Sequence, residues 1–203
     1  MVKIQLRFAA ALLPFILLGC QSNLVSRSGP LPYDNAAYQV YSDLFLAKDT
    51  VGVEPGHPVV IQCETVSGLG FVPNKDISKC FPSDWEFRWE YESTIADYYK
   101  QNRVAHELSR QFSITSPYEL VPEAELISLE SHGNFPRDPF LEKIPDSQGY
   151  VAVSAVGFNS RKTRAIVSAM NQCGFLCGGG RIYALERENG KWVQVHAGCT
   201  WTE

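Results

Sequence analysis

Residues 149–195 read GYVAVSAVGFNSRKTRAIVSAMNQCGFLCGGGRIYALERENGKWVQV, and the fold turns on them. Apolar, β-branched and aromatic residues gather in four segments: 150–158, 163–172, 181–187 and 191–197. Turn-formers separate them: Asn159-Ser160, the Gly-rich run from Gly174 to Gly180, and Glu188-Asn189-Gly190. Segments of this kind, bounded by such breaks, are strands. Asn189-Gly190 adds a specific turn, because both residues tolerate the positive φ that a two-residue hairpin requires. Sequential hairpins make an antiparallel meander, so about four C-terminal strands are expected in one sheet.

Upstream, the pattern changes period. Asp34 caps a helix expected over 35–48, whose apolar residues Ala37, Val40, Tyr41, Leu44 and Phe45 fall at helical spacing. The Gly-Pro loop VGVEPGHP at 51–58 ends it. Val59-Val60-Ile61 then opens a short strand running to about Val66. Residues 85–92, WEFRWEYE, alternate aromatic and charged, which fits a half-buried strand or the early turns of a helix. Tyr91, Ile95, Tyr98, Asn102, Ala105 and Leu108 step by four and three. With Thr94 and Asp97 resembling a capping box, a helix is expected over 94–107. Short extended pieces are expected at 118–121 and 125–129, and a Pro-rich loop over 133–149. The fold class is α+β: an antiparallel C-terminal meander with N-terminal helices packed on one face.

The first seven residues contain Lys3 and Arg7 and no acid, and residues 8–18, FAAALLPFILL, contain no charge. That is the layout of a secretory signal, and its apolar run is shorter than the roughly 20 residues a bilayer span needs. Leu17-Leu18-Gly19-Cys20 resembles the bacterial lipobox. The resemblance implies a diacylglycerol thioether on Cys20, cleavage after Gly19 and acylation of the new amine. Several acyl chains anchor stably where one binds only reversibly. Gln21 stands where an aspartate favours inner-membrane retention in Gram-negative lipoproteins. In such a host the resemblance therefore implies the outer membrane, on its periplasmic face. Residues 1–19 are expected to be signal, 20–32 the lipidated cysteine and a polar tether, and 33–203 one globular domain. Removing Lys3 and Arg7 takes the formal charge from −4 to −6. A mildly acidic domain without a basic, aromatic-interleaved patch gives no footing to nucleic acid.

The 149–195 stretch also resembles a family of uncharacterised bacterial proteins, many of them exported. The resemblance rests on Ser154, Val156-Gly157-Phe158-Asn159, Ala165-Ile166-Val167, the run from Cys173 to Gly180, Tyr183, and the run from Glu186 to Trp192. Together they form a GFN…CGxLCGxG…NGKW pattern. Thr94, Asp97 and Asn102, and residues 38–45, are weaker matches. The family implies a fold and brings no activity with it.

With Cys20 lipidated, five cysteines remain: Cys63, Cys80, Cys173, Cys177 and Cys199. Export places them where disulfides persist. Cys173 and Cys177 flank three residues of one turn and are expected to staple a hairpin tip. Cys63 with Cys80 is the next expected pair. Cys199 is then a free thiol, or takes Cys173 or Cys177 instead. An odd count leaves at least one thiol free, modified or bonded to another chain. A redox centre is the competing reading of C-x-x-x-C. Thioredoxin-like sites, however, use C-x-x-C opening a helix, whose N-terminus stabilises the thiolate, and strand patterns flank this pair.

Other chemistry finds no complete set. Zinc-finger spacing is missing. His106-Glu107 begins a zinc-protease motif, but Arg110 stands where the second histidine is needed. Ser131-His132-Gly133 makes no triad, and no G-x-S-x-G elbow occurs. Gly178-Gly179-Gly180 leads into a strand, not the helix a phosphate cradle needs. No catalytic residue, metal or cofactor is assigned on this basis. The expectation is a non-enzymatic, membrane-anchored binding or structural module with an envelope protein as partner. The GGG turn and the 130–149 loop are its contact surfaces. The alternatives are an envelope hydrolase, a thiol-redox protein, or a small-ligand carrier using Trp85, Trp89 and Tyr99.

Overall fold

The computed structural model describes residues 34–46, 56–67, 76–81, 88–131, 146–174 and 177–202. The signal segment, Cys20, the tether, residues 85–87, residues 132–145 of the Pro-rich loop and Phe175-Leu176 lie outside them. Among the described residues, three helices pack on one seven-stranded mixed sheet, an α+β arrangement.

Helix α1 (Asn35–Leu46) starts where its cap was expected. The Ala36 N–H donates to Asp34 Oδ1 at 3.0 Å, and the Ala37 N–H donates to the Asp34 carbonyl at 2.8 Å. Its residues Ala37, Val40, Tyr41, Leu44 and Phe45 are all buried. The strands are β1 (Val59–Gln62), β2 (Tyr118–Val121), β3 (Tyr150–Val153), β4 (Gly157–Phe158), β5 (Arg164–Gly174), β6 (Cys177–Glu188) and β7 (Lys191–Thr202). Their order is β2-β1-β3-β5-β6-β7, with β4 also beside β5. From β3 onward every pairing is antiparallel, which makes the meander. Asn189 and Gly190 turn between β6 and β7 at φ 48° and 84°. β1 extends the sheet as a parallel neighbour of both β2 and β3.

β1 stops at Gln62, with only isolated bridges at Glu64 and Val66, instead of running on to about Val66. Four further expectations need correction. The helices cover both faces of the sheet, not one. Ala165, Val167 and Ala169 of β5 pack with Tyr41, Leu44 and Tyr183 in the cluster that contains α1. Ile166 packs with Ile77, Tyr91 and Tyr98 on the other side. The run Ala165-Ile166-Val167 is apolar without a break, as a strand buried on both faces must be. The second correction is α2 (Glu92–Gln101), which ends six residues before the expected stop at 107. Asn102 stops it: its Nδ2 donates to the carbonyls of Tyr98 and Ala155, and its Oδ1 accepts from the Ala155 N–H at 2.9 Å. Residues 88–91 form a 3-10 turn leading into this helix, so that part of 85–92 is not strand.

Third, the expected extended piece at 125–129 lies within α3 (Glu123–Ser131). The Pro122 carbonyl accepts from Glu125 and Leu126, and Glu123 and Glu125 in the first turn suit the helix dipole. Leu126 is buried against Val60 and Tyr150. Fourth, the segment 150–158 is not one strand. β3 and β4 both pair with β5 but are interrupted at Ser154 to Val156. Gly157 lies directly beneath α2, where a Cβ would overlap the Tyr98 backbone.

Candidate functional site

The far end of the meander carries the site. β5 and β6 pair from Arg164–Glu186 out to Gly174–Cys177, with a register shift between Gln172 and Gly174. The Gly-rich run expected as a turn is therefore mostly strand, since β6 opens at Cys177. Glycine is needed at 180 because the Trp201 indole lies across it, and a Cβ there would overlap the ring. Cys173 and Cys177 are joined by a disulfide across the tip, with Cα atoms 5.0 Å apart. Cys177 is exposed and Cys173 half-buried.

An open hollow of about 240 Å³ lies at this end of β5, β6 and β7. Asn171, Cys173, Cys177, Arg181, Thr200 and Thr202 are among its walls. Arg181 supplies a positive charge, while the amide and the hydroxyls supply hydrogen-bonding groups. Among the described residues that line it, none is a carboxylate or an imidazole. Arg181, Thr200, Trp201 and Thr202 were not singled out from sequence. For the last three the signal was the continuation Thr200-Trp201-Thr202, which alternates like a strand beyond the expected end at 197.

A second polar group is buried at the β3–β4 interruption. The Tyr98 hydroxyl and Ser168 Oγ are 2.8 Å apart, and the Ser168 N–H donates to Ser154 Oγ at 2.8 Å. The Tyr41 hydroxyl donates to the Ser154 carbonyl at 2.8 Å. Burial pushes the Tyr98 hydroxyl up, only partly offset by its serine partners, so it stays protonated and is no base. The hub holds α1 and α2 to the sheet. A third group sits at the start of β5. Arg164 pairs with Glu90 and, through Nε at 3.1 Å, with Glu186, and it stacks on the Tyr91 ring. Burial first, then the nearby Glu186 carboxylate, raises the Tyr91 hydroxyl far above its ordinary range.

The second disulfide joins Cys80 to Cys199, which corrects both the expected Cys63–Cys80 pair and the free thiol at Cys199. Cys63 is buried in the α1-side cluster, whereas Cys80 belongs to the cluster on the opposite face. The sheet lies between them, and a disulfide needs Cα atoms within about 7 Å. Cys199 packs against the cluster of Cys80, and the absence of a side chain at Gly198 lets the Cys80 carbonyl approach β7. His106, expected on a helix, lies beyond α2 with Nε2 2.9 Å from the Gln101 carbonyl oxygen. The aromatics at 88–99 divide between core and surface: Tyr91 and Tyr98 are buried, while Trp89 is 70% exposed. The Ile77 N–H donates to the Tyr99 hydroxyl at 2.8 Å.

Among the described residues, no group of three His, Cys, Asp or Glu side chains converges as a metal site, and no helix is long and apolar enough to cross a membrane. Comparison with family models, curated proteins and solved structures gives no match.

Proposed function

We propose that this chain is a lipid-anchored envelope protein that binds a protein partner through the β5–β6–β7 end of its sheet. The carrying observation is the hollow itself: an open, glycine-lined concavity with one arginine, an amide and two threonines, held on a disulfide-closed hairpin. Rigid strands presenting an arginine, an amide and hydroxyls favour recognition. Cys20 carries the anchor in this reading, residues 21–32 are the tether, and the outer membrane facing the periplasm is the address in a Gram-negative host.

Two measurements test it. Intact mass of the membrane-extracted protein is expected to give a chain beginning at Cys20 with covalent lipid, and Cys20→Ala is expected to lose that lipid. An uncleaved or unlipidated mass from the wild type ends the anchoring half. For binding, cross-linking in native envelopes is expected to yield a defined adduct that Arg181→Glu abolishes and Glu119→Lys on β2 leaves intact. An adduct insensitive to Arg181→Glu, or no adduct, removes the hollow as the binding surface.

A further inference from the structure

The two disulfides differ in kind. Cys80 is 6% exposed and its bond with Cys199 closes a separation of 119 residues. Cys173 and Cys177 are four residues apart, with Cys177 exposed and Cys173 half-buried. Opening the tip bond releases little loop entropy, because the loop it closes is so short. The strands beside it remain paired through nine further register partners, Arg164–Glu186 to Gln172–Gly178. The tip bond can therefore break without unfolding the sheet.

We infer that Cys173–Cys177 is a site of thiol–disulfide exchange whose substrate is an external dithiol. A donor thiolate attacks the exposed Cys177 sulfur. The new bond forms between donor sulfur and Cys177 Sγ, and the Cys173–Cys177 bond breaks with its electron pair leaving on Cys173 Sγ. That thiolate then takes up a proton. The donor's second thiolate attacks its own sulfur in the mixed disulfide and releases Cys177 as a thiolate, which is protonated in turn. The donor loses two electrons and two protons and becomes a disulfide; the hairpin gains them. Arg181 lines the same hollow as Cys173; in this assignment its positive charge favours the departing thiolate, and a better leaving group is displaced faster. This chemistry is independent of the partner-binding reading.

The test uses the full oxidised chain and dithiothreitol as the dithiol. Free thiols are trapped by alkylation at timed intervals and mapped by mass spectrometry, with far-ultraviolet circular dichroism followed in parallel. Cys173 and Cys177 are expected to become labelled at least about tenfold faster than Cys80 and Cys199, with the dichroism unchanged. Arg181→Gln is expected to slow that labelling several-fold and leave the Cys80–Cys199 rate as it was. Opening of both bonds together, or a tip that opens only when the dichroism is lost, overturns the assignment. An unchanged rate in Arg181→Gln overturns the role given to the arginine.

Discussion

Gly157 has room for a hydrogen and nothing larger. A methyl there meets the N and Cα of Tyr98 on α2, which are backbone atoms that cannot rotate away. Gly157→Ala is therefore expected to push α2 off β4 and to cost about 1–3 kcal/mol. A lower urea midpoint with an unchanged m-value would record it; an unaltered midpoint would mean that α2 does not sit where described. The same helix is held by the Tyr98 hydroxyl against Ser168. Tyr98→Phe keeps the ring and removes the hydroxyl's bonding to Ser168 and Ser154 in a buried setting, for a loss of about 1–2 kcal/mol. If Tyr98→Phe proves neutral in the same denaturation experiment, the serine–tyrosine hub contributes nothing to stability.

At the scale of elements, the informative comparison is between α1 and α2. α1 was legible because everything that defines it is local: an aspartate cap, an apolar face at helical spacing, and a Gly-Pro loop after it. The end of α2 was not, because Ala105 and Leu108 continue the period past the true stop. What ends the helix is Asn102 bonded to Ala155, 53 residues away. α3 was hidden for a related reason: Glu123-Ala124-Glu125-Leu126 alternates like a strand, and the helix is set by Pro122 and by the burial of Leu126. The start of α1 carries a pH dependence. Burial raises the Asp34 carboxyl, but the hydrogen bonds from Lys162 and the Ala36 N–H, with the lysine charge, outweigh it and leave the net shift downward. A depressed carboxylate stabilises the fold above its unfolded pKa and loses that contribution as pH falls through the folded value. The urea midpoint is thus expected to fall on acidification from neutrality to below the ordinary carboxylate range, and to fall less in Asp34→Asn. Equal acid sensitivity in the two proteins would remove Asp34 from the account. Both side chains of the Asp34–Lys162 pair are nearly half exposed, so the difference is expected to be small and to shrink in salt.

Across the whole molecule, the cysteines show where sequence distance misleads. Cys173 and Cys177 were readable as a pair because one short turn brings them together. Cys63 and Cys80 are near in sequence, yet they belong to clusters on opposite faces of the sheet. Cys199 reaches Cys80 only because β7 comes back along β6 after the meander is complete. The hollow was illegible for the same reason, since one wall comes from β7, more than twenty residues after the hairpin tip. The pairing has a measurable consequence. In the loop-closure model, removing the bond across 119 residues costs about 5 kcal/mol, and removing the bond across four costs about 2 kcal/mol. Cys80→Ala with Cys199→Ala is therefore expected to lower the urea midpoint by more than twice as much as Cys173→Ala with Cys177→Ala. The larger loss also has a structural source, because the Cys80 segment closes the core face around Ile166 and Ile182. Equal shifts in the two double variants would mean that the long-range bond does not tie that segment to β7, and that the fold closes on this face without it.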